Sequence, residues 1–239
     1  MAIQHRLVEY YDGDTLLEGY LAFDDAIQGQ RPCVIIGHTW AGRSDFECER
    51  ANKLAEYGYV TFALDMYGKG QGGADPKQNA ALMQPFLDER SSLQLRMAAA
   101  LSIASEQPET DRKKIASMGY CFGGLCSLDL ARTNTDILAA ISFHGLFNPP
   151  GNTEGNAITA KILCLHGNDD PMVPTDSVIA LQQELSNVGA DWQIHAYGNT
   201  THAFSKPSAN SPEMGMMYSA VADKRSWAAL INFLEEVFE

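Results

Sequence analysis

Ile115-Ala116-Ser117-Met118-Gly119-Tyr120-Cys121-Phe122-Gly123-Gly124 is the stretch on which the fold turns. Its first four residues form a short run of the kind a parallel strand produces when both its faces are buried. Residues 122–131 then carry helical spacing. Strand, turn and helix therefore follow one another, with glycines two places either side of a cysteine. So sharp a turn leaves no room for side chains at 119 and 123. It also holds the residue between them in strained backbone geometry with its side chain projecting clear. The projecting atom is the sulfur of Cys121. A helix N-terminus favours its thiolate, the reactive form. Cys126, five residues on, reads as packing.

Outward from this turn, apolar runs recur at residues 33–36, 60–64, 138–143, 162–165 and 193–197. Residues 15–23 read as an N-terminal strand, hairpin-paired through Asp12-Gly13. Helical spacing marks 46–57, 91–105, 177–188 and 219–237, with Gly58 and Gly189 as stops. Strands alternating with helices predict one α/β domain over residues 1–239. Its mostly parallel, twisted sheet of about seven to eight strands should be flanked by helices on both faces. In such sheets the chemistry lies just beyond the carboxyl ends of the strands. Residues 68–85 break the alternation. Their Gly68-Lys69-Gly70-Gln71-Gly72-Gly73 has neither phosphate-loop spacing, so a flexible loop beside the pocket is expected.

Bulk properties remove whole classes of function. A formal charge of −13, with no cluster of Lys and Arg, excludes a nucleic-acid partner. No apolar run approaches the roughly 20 residues needed to span a bilayer. The start, Met1-Ala2-Ile3-Gln4-His5-Arg6, lacks the plan of a signal peptide, so a cytoplasmic protein is expected. The cysteines are five, an odd number, with no Cys-x-x-Cys pair. Neither a disulfide framework nor a zinc site is expected, and Cys33 and Cys164 read as small core residues.

A thiol nucleophile needs a base to carry its proton, and the base needs an orienting carboxylate. On a strand–turn–helix elbow of this kind the chain order is nucleophile, acid, histidine. After the run 162–165 comes His166-Gly167-Asn168-Asp169-Asp170-Pro171-Met172-Val173-Pro174. Asp170 is the expected acid, with Asp169 the alternative. After 193–197 comes Gly198-Asn199-Thr200-Thr201-His202-Ala203-Phe204, and His202 is the expected base. Oxyanion donors are expected from the backbone N–H of Phe122 and, in the loop Gly37-His38-Thr39-Trp40-Ala41-Gly42, from Trp40, with Thr39 next. Trp40, Tyr120, Phe122 and Phe204 are expected to wall the pocket with aromatic rings.

With these segments in place the chain resembles the dienelactone hydrolase family over nearly its whole length. The specific match is Gly-Tyr-Cys-Phe-Gly-Gly at 119–124, where most α/β-hydrolases carry serine. Supporting it are His38-Thr39-Trp40-Ala41-Gly42, Asp65-Met66-Tyr67-Gly68, Gly167 to Pro174 and His202-Ala203-Phe204. The resemblance implies an α/β-hydrolase fold, no metal or organic cofactor, and triad roles for Cys121, His202 and Asp170. It implies a small ester or lactone as substrate, cleaved through a thioester acyl-enzyme, in a monomer or homodimer. Lys206 matches one of two family cations that hold the substrate's carboxylate; Arg43 and Lys77 are possible second ones. Where the family typically carries Glu, this chain has Thr39, whose hydroxyl cannot act as a carboxylate base. Thr39 then contacts substrate, and His202 takes the Cys121 proton directly. The same thiolate could attack organophosphate triesters. A different class, a non-catalytic binder of the same fold, would leave Cys121 with ordinary thiol reactivity. A redox sensor would need a resolving cysteine.

Overall fold

A computed structural model describes residues 2–239. The chain divides into two compact units, the first ending at Met118 and the second covering Gly119–Glu239. The main sheet has eight strands.

In the first unit, β1 (Ile3–Asp12) and β2 (Thr15–Asp24) form an antiparallel hairpin in which Asp12 faces Thr15 and Ile3 faces Asp24. There follow β3 (Arg31–Gly37), α1 (Asp45–Ala55), β4 (Val60–Ala63), α2 (Pro76–Asp88), α3 (Arg90–Ser105) and most of β5 (Thr110–Tyr120). The sheet order here is β1-β2-β4-β3-β5. β4 runs antiparallel to β2 and parallel to β3, with Cys33 opposite Val60. β4 and Cys33–Gly37 of β3 are buried throughout, which is why they read as unbroken apolar runs. β1, at the edge of the sheet, exposes Gln4, His5, Leu7, Glu9 and Tyr11 and buries Tyr10.

In the second unit α4 (Phe122–Arg132) follows the elbow, then β6 (Ala139–Phe143), β7 (Lys161–Gly167), α5 (Thr175–Asn187) and β8 (Trp192–Tyr197). β6, β7 and β8 pair in parallel, with Phe143 beside Leu165 and Leu165 beside His195. A two-residue-stranded hairpin, β9 (Asn210–Ser211) with β10 (Met216–Met217), precedes the last helix, α6 (Ala220–Phe238). Every residue of α4 is buried. Arg132 at its end is neutralised by Glu184 of α5 at 2.7 Å and by Asp129 at 3.2 Å. A buried charge tolerates no less.

The segment expected to be a loop departs from expectation. Of residues 68–85, expected to be irregular, Pro76 onward is helical. Asp75 caps α2 by accepting the Gln78 N–H at 2.9 Å, and Pro76 stands in the first turn, where its missing N–H costs nothing. The second proline, Pro85, falls in the last turn and still offers its carbonyl to the Glu89 N–H. The glycine run 68–73 and the flanking prolines masked a helix whose start signals were both present.

The turn around Cys121 is set by contact distances. A Cβ on Gly119 would lie 2.2 Å from the carbonyl carbon and oxygen of Gly123. A Cβ on Gly124 would lie 2.6 Å from Ser142 Oγ and 2.9 Å from Gly145 Cα, so the first turn of α4 can rest directly on the end of β6. Neither obstacle to Gly119 is a flexible side chain. Gly119→Ala should therefore lower stability by about 3 kcal/mol or more, read as a reduced urea midpoint. A loss below about 0.5 kcal/mol, the range of a surface substitution, would contradict this geometry.

Candidate active site

Cys121 has φ 55° and ψ −114°, a left-handed backbone that a residue with a Cβ adopts only under constraint. Its N–H donates to the Phe143 carbonyl at 3.0 Å, and its own carbonyl accepts the Gly124 N–H at 3.0 Å. The residue is thus fixed at both peptide groups while its side chain stays half-buried. The other thiols have different surroundings. Burial pushes Cys33 and Cys164 up to about 12, and burial also raises Cys48. Cys126 is fully buried in α4.

His202 and Asp170 come together in the same unit. Nδ1 of His202 is 2.7 Å from Asp170 Oδ2, and the two side chains are almost wholly sealed from solvent. Asp170 Oδ1 also accepts the Met172 N–H at 2.9 Å, so both carboxylate oxygens are used. Asp169 is exposed and turned away, its N–H bound to the Thr200 carbonyl. Burial alone would pull the His202 imidazole down. The charge of Cys121 and the hydrogen bond to Asp170 outweigh it and push the pKa up to about 10. The imidazole is therefore hydrogen-bonded to a carboxylate and feels the charge of the Cys121 sulfur.

The loop holding His202 is stitched by backbone. The His202 N–H donates to the Gly215 carbonyl and its carbonyl accepts the Met217 N–H, which joins it to the β9–β10 hairpin. A Cβ on Gly167 would lie 2.6 Å from the Thr200 and Thr201 carbonyls, so the end of β7 and this loop approach without a side chain between them.

The candidate oxyanion loop belongs to the first unit. The Thr39 N–H is committed to Glu47 Oε1 at 3.1 Å, while Trp40 accepts the Tyr67 hydroxyl at its carbonyl. The second oxygen of Glu47 accepts the Ser44 N–H and Oγ–H. Glu47 is a fully buried carboxylate that spacing did not single out, although Ser44-x-x-Glu47 is a legible capping box. Thr39 itself is buried, with no hydrogen-bond partner for its Oγ1 among the described residues.

The other expected contacts fare unevenly. The side chains of Tyr120, Phe122 and Phe204, expected to face the substrate, present no surface at all. Tyr120 packs on Phe143 at 4.8 Å and Phe204 on Tyr197 at 5.5 Å, so they support the elbow and the histidine loop from within. Lys206 is half-buried, its N–H bound to the Ala203 carbonyl. Arg43 is held by the carbonyl and carboxylate of Glu18, and Lys77 is exposed. Among the histidines, His38 donates from Nδ1 to Thr39 and accepts from Met66 at Nε2, which makes it a neutral structural residue. His166 is buried and held low by that burial, and its Nδ1 has no partner among the described residues. Ser205 and the β9–β10 hairpin adjoin this site without any signal in their own segments.

Comparison with known proteins places this geometry. The model of the dienelactone hydrolase family matches residues 17–238. A dienelactone hydrolase-like promiscuous phosphotriesterase from metagenomic libraries is 36% identical, covers 100% of both chains and superimposes with a TM-score of 0.95. An uncharacterized protein of Caenorhabditis elegans is 38% identical over 157 residues, 63% of this chain and 98% of that one. A protein of Aquifex aeolicus, provisionally named a carboxymethylenebutenolidase, is 27% identical over 238 residues, 96% of this chain and 97% of its own. The fold is that of the α/β-hydrolases, and the chain belongs to the dienelactone hydrolase family.

Proposed function

We propose that the protein hydrolyses a small carboxylic ester or lactone through an acyl-enzyme on Cys121. At rest the proton sits on His202 and the negative charge on sulfur. The thiolate attacks the carbonyl carbon, and the N–H of Phe122 receives the developing oxyanion. As the tetrahedral species collapses, the C–O bond breaks and His202 gives its proton to the leaving alkoxide. That leaves a thioester and a neutral imidazole. His202 then takes a proton from water, the hydroxide displaces the thiolate, and acid and thiolate return to the start. Asp170 keeps the ring in the tautomer and orientation that both transfers need.

The observation that carries this reading is the position of one imidazole, bound to Asp170 at 2.7 Å and raised in pKa by the charge of Cys121. Family membership supports ester and lactone bonds as the substrate class. Thr39 in the place of a carboxylate gives the thiolate no second base, so the reading gives His202 all proton transfer. A second activity on organophosphate triesters is favoured by the 36% identical phosphotriesterase of the same fold. There the same thiolate would attack phosphorus instead of carbon.

Intact mass after mixing with p-nitrophenyl acetate should show one acetyl group on the wild type and none on Cys121→Ala. Aryl-ester turnover in that variant should fall about 10⁴-fold or more; equal rates in both proteins reject the mechanism. Asp170→Asn should lower kcat by about 10³-fold or more, because the amide favours the wrong tautomer; retention of kcat within threefold contradicts the assignment. Because His202 keeps its proton up to about pH 10, iodoacetamide should alkylate Cys121 at a nearly constant rate from pH 6 to pH 9. A rate climbing about tenfold per pH unit, as an unpaired thiol of pKa about 8.5 gives below its pKa, would show that no ion pair forms.

A further inference from the structure

We propose that the buried pair His144–Ser205 is a positioning device for His202, one that restrains the imidazole in addition to its tie to Asp170. The proposal rests on the reading of His202 as the proton carrier.

His144 directly follows β6 and has φ 38°, a left-handed conformation strained for a residue with a Cβ. Its surroundings fix that conformation. The His144 N–H donates to the Leu165 carbonyl of β7 at 2.8 Å, and the carbonyl of the preceding Phe143 holds the N–H of Cys121. The following Gly145 lies against Gly124 of α4. The backbone of 143–145 is therefore bound to the nucleophile's own turn. From this point the His144 side chain reaches the other loop of the site. Its Nε2 is 2.8 Å from Ser205 Oγ, three residues after His202.

Its ring stands edge-on to His202, centroids 5.2 Å apart at 66°, and edge-on to Phe204 at 5.1 Å and 81°. A serine hydroxyl on a histidine could suggest a second nucleophile. Both residues are sealed, at 0% and 1% exposure, so no substrate reaches them. What the pair does instead is join the Cys121 turn to the His202 loop through one hydrogen bond. The hydrogen bond to Asp170 restrains only one corner of the His202 ring. The His144 ring limits its swing, and Ser205 keeps the loop at the distance that swing allows. A proton carrier misplaced by about 1 Å loses rate steeply.

The test uses kinetics on p-nitrophenyl acetate for Ser205→Ala, His144→Leu, His144→Gln and the double variant His144→Leu/Ser205→Ala, with melting curves for each. Ser205→Ala and His144→Leu should each lower kcat about tenfold to a hundredfold with KM within twofold. The double variant should be no slower than the slower single, because one bond is removed in each case. His144→Gln, whose side-chain amide can still meet Ser205, should recover most of kcat. If the wild type acylates Cys121 and the single variants keep kcat within twofold, the positioning role is wrong. It is equally wrong if they lose kcat and KM together, if His144→Gln is no better than His144→Leu, or if the double variant shows the product of the two losses. If the wild type itself leaves Cys121 unacylated, the reading of His202 fails first, and the pair has no carrier to position.

Discussion

One glycine, Gly119, where a Cβ would collide with the backbone of Gly123, governs this protein. Because a Cβ at 119 would sit 2.2 Å from Gly123, the chain can leave β5 and enter α4 only with glycine there, and Cys121 takes up a φ of 55° between them. The strain is held by hydrogen bonds to Phe143 and Gly124. A sulfur on such a turn has little freedom to choose its environment. It meets whatever the ends of the neighbouring strands present, and here they present an imidazole whose far nitrogen is already bound to a carboxylate.

The electrostatics follow from that enforced proximity. A buried histidine alone loses its proton readily, and a buried carboxylate alone regains one. His202 reverses the tendency because the charge of Cys121 and the hydrogen bond to Asp170 outweigh its burial. Burial, by contrast, leaves Cys33 and Cys164 protonated under ordinary conditions. The same side-chain chemistry thus gives inert packing at one place and, in the proposed mechanism, a nucleophile at another. The difference lies in the turn and in the imidazole, not in the thiol.

Much of this was legible before coordinates. The runs 33–36 and 162–165 are strands because both their faces are buried, and burial on both faces leaves a plain apolar signature. The elbow was legible because steric need forces glycine at fixed offsets from Cys121. Asp170 could not be separated from Asp169 by spacing with the same force; burial separates them, one sealed and the other exposed. Glu47 and Ser205 were illegible as site residues, since each meets a backbone group or a partner far away in sequence. The aromatic side chains of 120, 122 and 204 misled for a related reason: nearness to a candidate site residue along the chain does not decide which way a side chain points. The helix α2 was hidden by the glycine run before it, although Asp75 and Pro76 marked its start.

The central claim is that His202 holds a proton because Cys121 holds none. The most direct measurement is a ¹⁵N chemical-shift titration of the His202 imidazole from pH 5 to pH 10.5 in the wild type and in Cys121→Ala. Both ring nitrogens should remain protonated in the wild type until pH nears 10, and the transition should move well down when the sulfur is removed. A wild-type imidazole that titrates near the ordinary histidine value of about 6.5, unchanged by loss of the sulfur, would contradict the account.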